Sequence, residues 1–392
     1  MARLFGEHNM YSEVVQLAQQ MVAIPSINPE DTHAPESPYG ESRMADFLCD
    51  WLKKYGLDCR RQQVQPGREN VISLAEGRDR SRTLLLSAHM DTVDVKGMTI
   101  EPFEPAVRQG RLYGRGSCDT KGPLAALMLA FRDRVLSGPL PCNLVLLATC
   151  GEEYNMLGAS HYARLGDNKP AAAVFAEPTG FNVVVAHKGA VRLKMTCYGT
   201  SAHSSTPDLG ENAIYTMTTA ITAVQDYDRT FSAEHADVLL GRETITVTIV
   251  RGGQQINVIP DRCEAQIDWR TLPGRNPDRC REQLYQLLTE KIPPEKISLE
   301  LLSAYNSIQT DPSSPLIQAV LAAADKTVHK RNITAAAYTT DAGAFKALNI
   351  PTCIFGPGDP AQAHTQGEYI ELEQLQNGYL AYKAFLDADW AL

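Results

Sequence analysis

Apolar positions along this 392-residue chain follow two rhythms in turn. Met44, Phe47, Leu48, Trp51 and Leu52 recur at i, i+3, i+4, i+7 and i+8, which predicts an amphipathic helix, and Gly56 stands where that helix should stop. Residues 83–86, 144–148 and 172–176 are unbroken apolar runs, as expected of strands covered by helices on both faces. Residues 123–136 have the composition of a buried helix that ends before Gly138. From about residue 187 the rhythm becomes alternation. Val191, Leu193, Met195 and Cys197 interleave with polar neighbours, and so do Ile245, Val247 and Ile249, and Cys263, Ala265, Ile267 and Trp269. Period-two alternation predicts a sheet with one wet face.

Helical stretches near 211–226 and 277–291 complete a βαββαβ unit. After about residue 303 the first style returns, with a helix over 315–328, a buried strand over 352–355 and a closing helix over 371–386. The expected architecture is α/β. A catalytic domain, residues 1–186 and 304–392, holds a mostly parallel sheet flanked by helices. Residues 187–303 form an inserted α+β, ferredoxin-like domain. A chain of this length exceeds one ordinary core, which agrees with two domains.

With 44% hydrophobic and 21% charged residues, the composition is that of a globular protein. A net charge of −9 without a Lys/Arg cluster argues against nucleic acid or an anionic membrane as partner. No apolar run approaches the ~18 residues that span a bilayer. Residues Met1–Glu7 contain no apolar stretch of the kind found in export signals, so a cytoplasmic location is expected. Nine cysteines without a C-x-x-C pair are expected to be reduced thiols, mostly buried.

Five separated segments carry hard oxygen or imidazole nitrogen: His89-x-Asp91, the Gly114–Gly122 turn with Asp119, Glu152-Glu153, Glu177 and His364. None offers a paired thiolate, which suits two hydrolytic divalent ions, Zn²⁺ or else Co²⁺ or Mn²⁺. Taken singly, each also fits an ordinary role: a strand-end histidine with a capping aspartate, an exposed acidic loop, or a satisfied surface histidine. Together, at strand ends, they read as one site. Two neighbouring glutamates at a strand end should point opposite ways, leaving one to ligate and the other to act as base. The G-x-x-x-x-G-K-[ST] phosphate-loop spacing is absent from the glycine-rich turn. Asp341 reads as a possible helix cap, and His8, His33, His161, His235 and His329 as structural.

From residues 25–26 through His364 to Glu368-Tyr369, these motifs resemble the metallopeptidase family of aminoacylase, acetylornithine deacetylase, succinyl-diaminopimelate desuccinylase and glutamate carboxypeptidase. The resemblance implies a zinc-peptidase-like catalytic domain and a lid that also dimerises. It assigns His89, Asp119 and Glu177 to one ion and Asp119, Glu153 and His364 to the other. Glu152 becomes the general base and Asp91 the carboxylate that orients His89. The resemblance also implies a cis bond between Asp119 and Thr120. In the run Gly199–Pro207, His203 matches a histidine that enters a partner's site and stabilises the oxyanion. Asn257 and Arg270 match positions that contact the substrate carboxylate, and a guanidinium suits that task. Gly356 and Lys188 are the remaining substrate-side candidates.

The run from Gly356 to Tyr369 and Thr340-Asp341-Ala342 resemble the acetylornithine deacetylase branch. Thr339 departs from it, standing where glycine is usual, and His187-Lys188-Gly189 replaces the desuccinylases' arginine-rich turn. The implied activity is removal of an acyl group from an N-acylated amino acid by a homodimer, with N-acetylornithine the leading substrate. The alternatives are a desuccinylase, a dipeptidase or carboxypeptidase, and a catalytically dead homologue that only binds amino-acid derivatives.

Overall fold

A computed structural model describes residues 12–29, 39–234, 236–330 and 332–388. Met1–Glu7, His8, His33 and His235 lie outside the described residues. The chain forms two compact units. The first takes the described residues through Val185, Thr310–Thr334 and those from Thr340 onward; the second takes Ala186–Gln309 with Ala335–Thr339.

Along the first unit run α1 (Glu13–Val22), α2 (Ser42–Lys54), β1 (Arg60–Gln65), β2 (Arg68–Ala75), β3 (Asp79–His89) and β4 (Arg111–Tyr113). Then come α3 (Lys121–Leu136), β5 (Cys142–Thr149), α4 (Glu152–Asn155), α5 (Leu157–Leu165), β6 (Ala172–Phe175) and β7 (Val183–His187), the last ending just inside the second unit. The second unit contributes β8 (Gly189–Tyr198), β9 (Ala202–His203), α6 (Ala213–Glu234), β10 (Thr244–Gly252), β11 (Val258–Ile259), β12 (Arg262–Thr271), α7 (Pro277–Thr289) and β13 (Ile297–Tyr305). The chain closes with α8 (Pro315–Val328), β14 (Thr352–Ile354), β15 (Tyr369–Glu371) and α9 (Leu372–Leu386).

The longer run of the main sheet has the order β1-β2-β5-β3-β6-β14-β7, and the short strands Ile308–Gln309 and Ile333–Ala336 also pair with β7. It is mixed rather than mostly parallel. The ladders joining β5, β3, β6 and β14 are parallel, while β1–β2, β2–β5 and β14–β7 are antiparallel. The antiparallel margin begins because β1 turns straight into β2 through Pro66-Gly67, a hairpin that cannot produce parallel strands. In the parallel centre, register aligns Leu84 with Leu144 and Ala172, so β5, β3 and β6 end along one edge. That edge carries the chemistry. Helix α3 is buried on every side from Lys121 to Arg132, which is why its sequence is apolar all round. It packs against α1 and α9.

Two of the nine cysteines are not thiols: Cys49 in α2 and Cys59 just before β1 form a disulfide, with Cα atoms 5.5 Å apart. The helix ends in a positive-φ Gly56 and the chain doubles back, which brings together residues that no short motif pairs. The other seven cysteines are free and buried.

The second unit has an antiparallel sheet of order β10-β12-β8-β13 with α6 and α7 packed on it, the βαββαβ arrangement. Its core joins Val191, Leu193, Met195, Ile267 and Trp269 to Met217, Val224, Leu284 and Leu288 from the helices. No helix among the described residues is long and apolar enough to cross a membrane.

Candidate metal centre

His89 is the last residue of β3, Glu152 and Glu153 follow β5, and Glu177 lies two residues past the end of β6. Three parallel strands therefore deliver four groups to one edge. Asp119 arrives from the turn before α3 and His364 from the loop after Pro360–Gln362. The ligand atoms of His89, Asp119 and Glu177 lie within 4.8 Å of one another, as do those of Asp119, Glu153 and His364. Asp119 belongs to both groups and splits its oxygens between them. Oδ1 is 3.1 Å from His89 Nε2, and Oδ2 is 3.4 Å from His364 Nε2. Glu177 Oε2 stands 3.9 Å from His89 Nε2, and Glu153 Oε2 stands 2.9 Å from His364 Nε2. A carboxylate placed this way can bridge two ions.

The Asp119 turn is tightly specified. The Asp119–Thr120 peptide is cis. Gly116 has φ +83°, and a Cβ there would come within 2.9 Å of both Lys121 Cδ and Thr92 Cγ2. Only glycine meets both demands. Lys121 is fully buried, its Nζ donating to the Ile24 carbonyl at 2.7 Å, and burial lowers its pKa to about 7.

Asp91 has a wider role than orienting one imidazole. His89 Nδ1 lies 3.0 Å from the Asp91 backbone carbonyl and 3.6 Å from its carboxylate. The carboxylate itself accepts the backbone N–H groups of Glu152 and Glu153, each at 3.1 Å, and the Asn28 amide at 2.7 Å. The two glutamates thus occupy the first turn of the short helix α4, capped by Asp91. Their side chains diverge because successive helical residues are about 100° apart, and the strand alternation expected for them does not apply. Glu153 reaches His364, whereas Glu152 belongs to neither ligand group.

The electrostatics describe a site built for cations. Burial pushes the Glu152 and Glu177 carboxyls well above the ordinary range, and each is raised further by neighbouring carboxylates while His89 opposes. Burial, with Asp119, raises Glu153 to about 7. Burial disfavours a charged His89, yet Glu177, Asp119 and Asp91 together hold it well above its ordinary value. Hydrogen bonds to Asp119 and Glu153 raise His364 to about 10. Glu153 Oε1 is buried with no hydrogen-bond partner among the described residues. Crowded carboxylates, an orphaned buried oxygen and two imidazoles fit a pair of divalent ions.

This ligand set sets a pH dependence. The folded values of Glu153 and His364 lie above their ordinary 4.5 and 6.5, so the stability they contribute without metal is complete below those ordinary values. It is lost as pH rises through about 7 and about 10. A metal replaces those protons, so its stabilising effect grows with pH. We expect the difference in Tm between zinc-loaded and chelator-treated protein to widen steadily from pH 6 to pH 9. A constant or narrowing difference would contradict this ligand set.

Asp341 is buried beside the same edge. Its Oδ2 accepts from Thr149 Oγ1 at 2.6 Å, and burial raises it to about 7. The cap of its helical turn is Thr340, whose hydroxyl accepts from Ala342 N–H at 3.3 Å, so Asp341 is not the cap. Gly356 packs against the backbone of Glu177 so closely that a Cβ would come within 2.6 Å of the Glu177 carbonyl oxygen. Its observed role is to let that strand end approach.

The other candidates lie in the second unit. His203 on β9 pairs with Val258 on β11, and Ser204 N–H donates to the Asn257 carbonyl at 3.0 Å, so His203 and exposed Asn257 are neighbours. Arg270 on β12 donates to Asp268 Oδ1 at 2.7 Å. Buried Lys188 donates to the Arg242 carbonyl. Glu368, which the sequence marks only as part of the His364 motif, has its carboxylate against the Asp119 turn.

The family model described as Peptidase family M20/M25/M40 matches residues 85–388. A Staphylococcus aureus (strain N315) protein named "Probable succinyl-diaminopimelate desuccinylase" is 32% identical over 374 residues, covering 87% of this chain and 90% of that one. The acetylornithine deacetylase of Proteus mirabilis is 31% identical over 372 residues, covering 91% and 92%. Among solved structures, an M20 family metallo-carboxypeptidase from Sulfolobus solfataricus superposes with TM-score 0.77 at 19% identity, over 96% of this chain and 98% of that one.

Proposed function

We propose, from the premise that this chain belongs to peptidase family M20/M25/M40, that it is a metal-dependent hydrolase releasing a short acyl group from the α-nitrogen of an amino acid. The observation that carries this reading is Asp119, one carboxylate whose two oxygens face two different histidine-carboxylate pairs. His89, Asp119 and Glu177 would hold one divalent ion; Asp119, Glu153 and His364 would hold the other. When bound, such ions acidify water and polarise an amide carbonyl.

The chain's own groups do the rest. Glu152 is half-buried beside the ligand groups and belongs to neither of them, the position of a general base, and burial raises its carboxyl well above the ordinary range. It takes the proton of the attacking water at a carboxylate oxygen and later returns it to the leaving amine. Asp91 holds both glutamate N–H groups and so fixes where Glu152 and Glu153 begin. Asn257 and Arg270 are proposed to receive the substrate carboxylate, and Lys188 and Gly356 to border it.

N-acetylornithine is the leading substrate. A succinyl group would require a cation for its distal carboxylate beyond the one that Arg270 is proposed to offer; here His187-Lys188-Gly189 replaces the desuccinylases' arginine-rich turn, and Lys188 already donates to the Arg242 carbonyl. The second reading is N-succinyl-diaminopimelate, favoured by the name of the Staphylococcus relative. We further propose a cytoplasmic homodimer formed through β10, an edge strand that exposes Ile249 and Val250.

The test is a substrate panel of N-acetyl and N-succinyl amino acids and dipeptides, run after chelation and again after adding Zn²⁺ or Co²⁺. Activity should vanish and return, with kcat/KM highest for an N-acetyl substrate. A higher kcat/KM for N-succinyl-diaminopimelate would select the second reading. Full activity in metal-free protein would sink both.

A further inference from the structure

The carboxylate of Glu368 is entirely buried and accepts four hydrogen bonds from the loop that carries Asp119. Its Oε2 accepts from Arg115 Nη1 at 2.7 Å and Gly116 N–H at 3.0 Å. Its Oε1 accepts from Cys118 N–H at 2.9 Å and Asp119 N–H at 3.0 Å. The backbone carbonyl of Glu368 accepts from Gly114 N–H at 3.1 Å, and β15, which starts at the next residue, pairs with β4. Glu368 also follows His364 by four residues in the same segment. One side chain therefore grips the turn of the shared ligand, while its own backbone fastens the segment of the second histidine to that turn.

We propose that Glu368 is a positioning residue for the metal pair: its carboxylate sets the location and direction of Asp119 through the backbone amides of residues 116, 118 and 119. The inference rests on the two-ion reading above. A rigid turn supported only by its own hydrogen bonds would need no buried acceptor. Here three main-chain donors converge on one anion, and the guanidinium of Arg115 supplies the opposite charge. An acceptor-only group is required, since any N–H in that place would face N–H. The consequence is specific. Because Asp119 is common to both ligand groups, disturbing its support weakens both ions, whereas loss of Glu177 or His364 touches one ion each.

The experiment is titration of chelator-stripped protein with Zn²⁺ by calorimetry, repeated with Co²⁺ by its visible absorption. The proteins compared are the wild type, Glu368→Gln and, as a one-ion control, Glu177→Ala. The glutamine is the same size, but its amide nitrogen cannot accept from two of the four donors. Both binding steps in Glu368→Gln should weaken by roughly 10–100-fold, the range for partners that orient ligands, with an altered cobalt spectrum. Glu177→Ala should lose one step and keep the other. A lower melting temperature of the metal-free variant with unchanged affinity at both steps would make Glu368 merely structural and overturn the proposal. Weakening of a single step would do so too. Should Glu368→Gln fail to fold, Glu368→Asp keeps the charge one methylene short of the amides, and wild-type affinity in it would be equally fatal. A wild type that binds no ion would instead remove the two-ion reading itself.

Discussion

Replacing Glu152 by glutamine is expected to leave both metal-binding steps intact and to lower kcat by roughly 10²–10⁴-fold, the usual yield of a positioned general base. The expectation follows from the different positions of two adjacent residues. Glu153 Oε2 is 2.9 Å from His364 and shares a ligand group with it, whereas Glu152 belongs to neither group. Both backbone N–H groups are held by one carboxylate, that of Asp91, so a change in either side chain leaves the helix start in place. Glutamine at 152 keeps shape and polarity and removes only the ability to take a proton. Glu153→Ala removes a ligand, so it should lose one equivalent of metal. Metal analysis and steady-state kinetics on the two variants check this. If Glu152→Gln loses metal and Glu153→Ala keeps it, the base and the ligand have been exchanged.

Three of the ligands, His89, Glu153 and Glu177, were legible because strand ends place them, whereas Asp119 and His364 come from loops and not from the strand ends expected for them. Residues 83–86, 144–148 and 172–176 are apolar enough to be read as buried strands, and the polar groups just past each run then share one edge. The inserted unit was legible for the opposite reason, since its one-sided sheet writes period two into Val191–Cys197 and Cys263–Trp269. Strand β1 was not legible: Arg-Arg-Gln-Gln-Val-Gln lies at the sheet margin, where only Gln62 is buried, so no apolar pattern is demanded. The Cys49–Cys59 disulfide depends on a chain reversal at Gly56, not on a spacing rule. Nothing local around Glu152-Glu153 announces a four-residue helix, because its cap, Asp91, is supplied from 61 residues away. Glu368 stands four residues after His364, yet its task depends on the turn it grips, which lies 250 residues earlier in the chain, so no local pattern marks it.

His203→Ala should cost kcat roughly 10²–10³-fold, the loss found when one oxyanion donor is removed, and that loss should be curable by a second inactive subunit. His203 is exposed on β9, with its Nδ1 accepting from Ser205 N–H at 3.2 Å and 2.7 Å from Ser205 Oγ. A backbone donor at Nδ1 places the ring proton of neutral His203 on Nε2, which leaves that N–H able to donate to a developing negative charge. If the proposed dimer lends this histidine to its partner's metal centre, the mixed dimer of Glu152→Gln and His203→Ala contains one site with both defects. Its other site has an intact base and an intact histidine. After full subunit exchange half the dimers are mixed, each with one good site of two, so roughly a quarter of wild-type activity should return for a two-fold symmetric pair. A histidine that serves its own subunit leaves every site with one defect. A mixture shown by tagged subunits to have exchanged, yet still inactive, would therefore exclude service across the dimer.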